Sequence, residues 1–586
     1  MLPIEFPPPE GWPDPNLNRT RIQRTTMPND ASPPLLSVEE ATARLLSPGS
    51  PFELTEEVVL GERMQVYKNR ARSLRDLLAM SAAHGGEEYL VFSDGRRWSF
   101  EEHLADVASV AAGLRDRYDI EHGDHVAILA ANAPEWILAY WAIVSLGGVV
   151  IAMNGWWAPG EITYGLELAK PRILLADRKR IARLEGLDVD LPVVSFEDDF
   201  ESLRRHEPGA SLPGDPIAED DPALLLFTSG TTGRPKGALV SHRTIVAFTM
   251  SSFFIGARRS LVEPPPPNPP GATLAPFPLF HLSGTMGSAT ATLAGGAKTV
   301  WPMGRFDAGE IIRLSIEEDI TSWSGATPHV FRLLDHPDIE KLHTDRFTQV
   351  GIGGSATTPE LLRAIADRFP QLASSVGTGY GSSETGGLVS YADNRMLREA
   401  ANCVGPPLPT VQIKIVDDDG NTLPDGENGR ICVRSPLVML LYLNNPAANA
   451  EAMLEGRWVD TGDVGHMRDG RLYLESRMRD MIIRGGENIY PAEIENRIEL
   501  HPDVAEVAVH GIDDRELGQR VKAVVVPNPG ATPREEAIRE FAAEALAYFK
   551  VPELIEIRTE PLPRNATGKV MKHVLSGEGE NTFVEE

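Results

Sequence analysis

From Leu74 onward the apolar positions follow two alternating rhythms. Leu74-Arg-Asp-Leu-Leu opens a stretch with helical spacing, and residues 88–93 read as a strand. Ser99 and Glu102 form an N-cap and capping-box pair for a helix running through Leu114. Residues 124–131 read as a buried strand, Pro134 starts a helix that ends at Gly147, and the β-branched run after it is a further strand. Strand, helix and strand joined by short connections imply a parallel sheet covered by helices. The pattern returns at 173–176, 223–227, 272–276 and 349–351. After about Arg430 the texture changes to short strands closed by Gly and Asp, such as GRICVRS and DGRLYLES, which predict a small β-rich subdomain. Beyond Asp480 a helix over 491–500, strands over 504–510 and 521–526, and a helix over 533–546 follow.

These patterns predict an α/β protein. Residues 1–60, rich in Pro, Asn and Thr, form an extension that wraps a surface as a strap or a dimer contact. Residues 61–478 form a large domain of helix-covered mixed sheets, with the β-rich subdomain over about 405–478. Residues 479–586 form an α+β C-terminal domain. The run EPPPPNPPG, Glu263 to Gly271, is a stiff surface connection. One stretch, Trp136 to Met153, carries no charge over 18 residues, the short limit for crossing a bilayer. Gly147-Gly148 divides it, so a buried helix feeding a buried strand is the better reading. No transmembrane segment is expected, although the protein could lie near a membrane surface.

Composition narrows the partners. The chain has 586 residues, 42% of them hydrophobic, with Lys+Arg 56 against Asp+Glu 84 and a formal charge of −28. Such a surface repels phosphate backbones on average, which excludes nucleic acid as the default partner and leaves room only for a local basic patch. Two cysteines, Cys403 and Cys432, make neither a disulfide framework nor a thiolate zinc site, and the start has no basic, apolar secretory pattern. A cytoplasmic location follows as the expectation.

The sharpest local signal is FTSGTTGRPKGALVSH, Phe227 to His242, behind the apolar run from Ala223 to Leu226. Thr228, Ser229, Thr231 and Thr232 interleave with Gly230 and Gly233, and Lys236 sits between Pro235 and Gly237. Glycines let backbone N–H groups turn inward, hydroxyls add donors and lysine adds charge, a combination suited to a polyphosphate. It is not a Walker A loop, in which Ser or Thr follows the lysine; here Gly237 does. The whole stretch resembles the phosphate loop of the adenylate-forming superfamily, which holds acyl- and aryl-CoA synthetases, luciferases and the adenylation domains of peptide synthetases. In character the chain is similar to bacterial fatty-acyl-CoA ligases.

Four further segments carry the resemblance, which covers about residues 70–575. GTGYGSSETGG, Gly377 to Gly387, resembles the second core motif; this implies Tyr380 against adenine beside Gly381, Ser383 at the α-phosphate and Glu384 on Mg2+. An aromatic face suits a flat base, and a carboxylate suits a hard cation. Thr228 is carried over as a second metal contact. GIGGSATTPE resembles the adenine-wall segment and implies Gly354 as a nucleotide contact, with Ser355 and Ala356 departing from the pattern. WVDTGDVG, Trp458 to Gly465, resembles the ribose motif and implies Asp463 as acceptor of the ribose hydroxyls. ESRMRDMIIRGGENIYPAEIE implies Arg477 at ribose and phosphate, Arg479 at the hinge and Gly486 in the CoA channel, with Ser476 where the family has Gly. LPRNATGKVMK, Leu562 to Lys572, implies Lys569 as the lysine of the first half-reaction.

The resemblance implies ATP, Mg2+ and coenzyme A, with a carboxylic acid as the substrate, in a monomer or homodimer. The acid attacks ATP to give an acyl-adenylate and pyrophosphate, and CoA then takes the acyl group and releases AMP. The C-terminal domain is mobile between the two steps. His281, in PLFH, stands where amino-acid adenylation domains put an Asp, which favours a simple acid and makes His281 a pocket or gate residue. Phe248, Met250 and Phe253, on a helix over 244–255, either line a fatty-acid tunnel or belong to the core. A medium- or long-chain fatty acid is the expected substrate. An aryl or terpenoid acid, delivery to a carrier protein or an amine, and a non-catalytic nucleotide-binding role are the alternatives.

Overall fold

The structure is a computed structural model of the chain. It describes residues 35–228, 235–263, 271–325, 327–342, 346–352, 359–372, 376–400, 402–477, 480–484, 487–565 and 568–577. The described part of the N-terminal extension is ordered around helix α1 (Val38–Leu45), whose Ser37 and Glu40 exchange both bonds of a capping box. The antiparallel hairpin β1 (Leu54–Val59) and β2 (Glu62–Tyr67) turns at Leu60-Gly61, so the expected boundary at residue 60 falls inside a hairpin. Arg70, just beyond it, holds Glu57 and Glu219 at 2.7 and 2.8 Å and ties the hairpin to the body.

Besides the hairpin, the described strands form four sheets. In the first sheet the seven strands run in the order Leu441–Tyr442, β4 (Lys236–Ser241), β3 (Pro222–Thr228), Val149–Met153, His125–Leu129, Ile173–Ala176 and Val193–Ser195. From β3 onward all pairings are parallel, whereas β4 returns antiparallel to β3. Alternate residues go to opposite faces: Val126, Ile128 and Val150 enter one core, and Ala127, Leu129, Val149 and Ile151 enter another. The uncharged stretch 136–153 resolves into the helix Pro134–Ser145, buried at every residue but Glu135, and the wholly buried strand Val149–Met153.

Helix α2 (His242–Val262) lies in the layer between the sheets. By length and composition it is apolar enough to span a bilayer, but its first half, 242–251, is packed into the protein core. The second sheet has eight strands in the order β8 (Ser390–Asp393), β7 (Val376–Tyr380), β6 (Gln349–Ile352), β5 (Ile320–Gly325), Ala272–Leu274, Thr299–Trp301, Glu88–Phe92 and Arg97–Ser99. Its outer face carries Val91, Leu274, Val300, Trp323 and Val350 against outer helices that include α3 (Thr327–Leu334). Its inner face joins the central core through Leu90, Phe92 and Trp301.

The small subdomain is an antiparallel sheet built on β9 (Trp458–Arg468) and β10 (Arg471–Arg477). The C-terminal unit packs Val507, Val509, Val521 and Val525 from a long hairpin against Ile494 and Ile538 of two helices. The hinge positions 478 and 479 lie outside the described residues.

One core residue gives a stability prediction. His103 is fully buried edge-on to Tyr89, with ring centroids 5.0 Å apart and neither ring nitrogen hydrogen-bonded. Burial pushes its pKa down to about 3. The unfolded chain therefore takes up the proton first, and this histidine's contribution is full above about pH 6.5 and fades as pH falls. Relative to H103F, the wild type should lose about 2 kcal/mol between pH 7 and pH 5. Denaturant unfolding of both proteins at the two pH values measures this; a gap that does not move with pH would contradict it.

Candidate active site

The site begins at the β3–β4 hairpin, where Thr228 and Lys236 are ladder partners. The loop between them carries Ser229, Gly230, Thr231, Thr232 and Gly233, which lie outside the described residues. Thr228 points its hydroxyl at the Lys236 carbonyl from 3.5 Å, a long contact that leaves the oxygen available to a ligand. Lys236 forms no ion pair with any described residue; its ammonium lies 5.1 Å from the ring centroid of Tyr442. That arrangement holds the cation in place without neutralising it.

Tyr442 is the residue that sequence reasoning missed. Its hydroxyl donates to Glu384 Oε1 at 2.8 Å, so one side chain carries the loop lysine on its face and the acidic residue on its tip. Burial, and then the charge of Glu384, push its phenol well above the ordinary range, so it stays a donor at any physiological pH. The backbone reinforces the link: Met439 N–H donates to the Glu384 carbonyl, and Leu440 and Leu443 N–H donate to Leu239 and Gly237 of β4. Y442F should lower the adenylation rate about tenfold, because a hydrogen bond to a charged group is lost. It should also raise the Mg2+ concentration needed for half-maximal rate. An unchanged metal dependence would contradict the assignment.

The residues present fit Mg2+. With Oε1 of Glu384 engaged by Tyr442, the carboxylate offers its other oxygen, and the Thr228 hydroxyl is a second hard donor. Among the described residues no group of three or more His, Cys, Asp or Glu is placed to hold a metal ion by itself. This donor set suits an ion that takes one carboxylate and completes its shell from phosphates and water. When bound there, the ion would offset the negative charge of the nucleotide phosphates.

Tyr380 and Asp463 meet across the gap between the second sheet and the small subdomain, the Tyr380 hydroxyl donating to Asp463 Oδ2 at 2.8 Å. Asp463 is the cross-strand partner of Arg477 in the β9–β10 ladder, which brings the ribose motif and the Arg477 backbone to one place. Gly381 cannot carry a side chain, because a Cβ there would lie 2.4 Å from the Gly387 carbonyl oxygen. Ser383 is buried in the same turn. Gly354, Gly486 and the Arg477 side chain lie outside the described residues, as do Ser355, Ala356 and Arg479.

On the acyl side, Gly387 lies against two side chains: its Cβ would be 2.8 Å from Leu282 and 3.0 Å from Phe248. Of the three aromatic and sulfur residues expected on the helix, Phe248 alone has this contact. Met250 is fully buried in the central core, and Phe253 packs near Gly295. His281 Nδ1 accepts from the Ser283 N–H at 3.4 Å and lies 3.0 Å from the Ser283 hydroxyl, which puts the ring proton on Nε2. Burial pushes its pKa down to about 4, so His281 is neutral at pH 7 and can position or gate but cannot supply charge. The next turn, Ser283–Thr290, is a π-helix, a geometry frequent at functional sites.

Lys569 is presented by a locked loop. Asn565 accepts from Lys569 N–H through its side chain at 2.9 Å and donates its own N–H to the Lys569 carbonyl at 2.9 Å. Arg564 donates to the Gly568 carbonyl at 2.8 Å and pairs with Glu506. The charge of Arg564 also acts on His329 of α3, so this loop faces the large domain. Among the described residues the structure thus links Lys236 to Glu384 through Tyr442 and joins Tyr380 to Asp463, while Lys569 is carried on the C-terminal unit.

A family model described as AMP-binding enzyme matches residues 78–443, and one described as the AMP-binding enzyme C-terminal domain matches 493–569. The chain is 32% identical over 529 residues to a 3-[(3aS,4S,7aS)-7a-methyl-1,5-dioxo-octahydro-1H-inden-4-yl]propanoyl:CoA ligase of Rhodococcus jostii, covering 86% of this chain and 98% of that protein. It is 28% identical over 553 residues to a long-chain-fatty-acid–CoA ligase of Bacillus subtilis, covering 88% and 96%. Among solved structures, ATP-bound MatB from Rhodopseudomonas palustris superposes with a TM-score of 0.77 at 27% identity, covering 86% of this chain and 98% of that one.

Proposed function

The chain belongs to the AMP-binding enzyme family and is an acid–thiol ligase, and from that premise we propose which residues perform the reaction and which acids it takes. The reaction class is acid–CoA ligation through an acyl-adenylate. In our reading Lys236 and the phosphate loop hold the polyphosphate of ATP, while Tyr442 fixes Glu384 at the metal position. Tyr380 and Asp463 hold adenosine. Neutral His281 orients the acid so that a carboxylate oxygen meets the α-phosphorus in line, with pyrophosphate leaving on the opposite side. Lys569 offsets the charge that builds on the five-coordinate phosphorus. CoA thiol then attacks the acyl carbon and AMP leaves. The observation that carries this reading is the Lys236–Tyr442–Glu384 arrangement, in which a cation without an ion pair among the described residues and an acidic side chain meet on one aromatic ring.

The acid itself is read from the inner face of the second sheet. Toward one edge that face is packed with Leu90, Phe92 and Trp301. Following the register across, the same face continues as Thr273, Ser322 with Gln349, Ser324 with Gly351, Gly377 and Gly379. Small and polar residues replace large apolar ones there. This trough supports a bulky, ring-bearing acid, of the aryl or terpenoid kind, better than the medium- or long-chain fatty acid expected from the sequence. The acids named for the relatives include both an alicyclic dione acid and long-chain fatty acids. Both buried cysteines are free thiols, which accords with a reducing cytoplasm.

A panel of alkyl, aryl and fused-ring acids with Mg-ATP and CoA, following AMP and acyl-CoA together, tests the proposal. Equal amounts of AMP and thioester, largest with ring-bearing acids, are expected. AMP without thioester would point to a carrier protein or amine as acceptor, and a maximum with unbranched chains would restore the fatty-acid reading.

A further inference from the structure

Tyr442 stands at the edge of the first sheet, in the two-residue strand Leu441–Tyr442 that pairs with β4. A ladder this short holds a strand weakly, and the backbone groups on its outer side need partners from elsewhere. Two side chains from later in the chain supply them. Asn449 lies on the short helix Pro446–Ala452, which Asn445 caps by accepting from the Ala448 N–H at 3.1 Å. Its carboxamide exchanges two hydrogen bonds with the Tyr442 backbone. Oδ1 accepts from the Tyr442 N–H at 2.7 Å, and Nδ2 donates to the Tyr442 carbonyl at 2.8 Å. A donor and an acceptor on one residue fix which way the amide faces. Asn449 thus takes the place of a neighbouring strand.

Arg457 grips the same segment just before the tyrosine. Its Nη2 donates to the Met439 carbonyl at 2.7 Å and its Nη1 to the Leu440 carbonyl at 3.1 Å. These two residues send their own N–H groups to the carbonyls of Glu384 and Leu239. The arrangement has a cost. Arg457 is a half-buried cation, and its hydrogen bonds among the described residues go to neutral carbonyls. The carboxylate whose charge reaches it, Asp220, already pairs with Arg243 at 2.6 Å. Its backbone also lies in the left-handed region, at a φ of 63°, which residues other than glycine rarely adopt. Strain and a desolvated charge kept at one residue point to a role for that residue. Its place in the chain supplies one. Arg457 immediately precedes β9, the strand that carries Asp463, so its guanidinium ties the ribose strand to the segment that carries Tyr442.

We propose that Asn449 and Arg457 are positioning residues for the adenylation step. They hold the Tyr442 backbone where its hydroxyl fixes the Glu384 carboxylate, so that the other carboxylate oxygen meets the metal in one orientation. Neither side chain needs to touch substrate for this. The proposal rests on the reading of Glu384 as the metal ligand and deepens it.

The test is acid-dependent exchange of pyrophosphate into ATP, run over a series of Mg2+ concentrations with the fastest acid of the panel above. Wild type, N449L, R457M, R457K and Y442F are compared with the double variants N449L/Y442F and R457M/Y442F. The half-saturating Mg2+ concentration does not depend on the fraction of protein that is folded, so a purely structural loss leaves it in place. N449L and R457M should each raise it about fivefold, the effect of about one net hydrogen bond. R457K, which keeps the charge but cannot span both carbonyls, should raise it by less. In the Y442F background neither change should raise it further, because no hydroxyl is left to place. Should R457M fail to fold, R457K and N449L decide the matter. Half-saturation at the wild-type value in these variants while Y442F is shifted would overturn the positioning role and leave the Glu384 reading standing. Shifts that add in full to that of Y442F would do the same. An unshifted Y442F, or a wild type without exchange for any acid, would overturn both.

Discussion

K569A should lose acyl-adenylate formation by about a hundred- to a thousandfold, the usual effect of removing one preorganised group that stabilises transition-state charge. Its thioester step, started from synthetic acyl-adenylate and CoA, should run at the wild-type rate. The split follows from the loop. Asn565 closes on the Lys569 backbone through both its side chain and its N–H, and Arg564 is anchored to Glu506 and Gly568. None of these bonds uses the lysine side chain, so alanine removes the ammonium and keeps each of them. Equal losses in both half-reactions would mean that Lys569 supports the domain rather than the phosphoryl chemistry.

The second large effect is expected at Glu384. E384Q keeps an oxygen for the Tyr442 hydroxyl and therefore keeps the local fold, but it loses the charge offered to the metal. Adenylation should fall by about a hundredfold or more, with saturation displaced to higher Mg2+. Y442F, by contrast, keeps the carboxylate and loses only its restraint. The ordering E384Q below Y442F below wild type, with metal dependence shifted in both variants, separates binding of the ion from positioning of its ligand. Should Y442F prove as inactive as E384Q, the tyrosine would have to act directly on substrate.

Much of this was legible in the chain because it is local. The capping pair Ser99–Glu102 forms both of its bonds, since three residues fix the geometry. The apolar runs at 149–153 and 173–176 became interior parallel strands because burial on both faces leaves a continuous apolar pattern. What escaped reading depends on register between distant segments. Tyr442 and Glu384 are 58 residues apart, and the backbone bonds joining Met439 to Glu384 and Leu440 to Leu239 have no local signature. The trough needs Ser324, Gly351 and Gly377 to align across three strands. The helix sequence around Phe248 suggests a hydrocarbon lining only because the facing sheet cannot be seen from it. The hairpin at 54–67 was passed over for a simpler reason: its turn, at Leu60-Gly61, coincides with the shift in composition taken as a boundary.

The central claim is that a carboxylate oxygen of the substrate attacks the α-phosphorus of ATP. The most direct measurement uses an acid labelled with heavy oxygen in its carboxylate, run through a complete turnover with Mg-ATP and CoA. The AMP released should carry one heavy oxygen, with none in pyrophosphate. Unlabelled AMP, or label appearing in orthophosphate beside ADP, would contradict the adenylate route and with it the roles assigned to Lys569, Glu384 and Lys236.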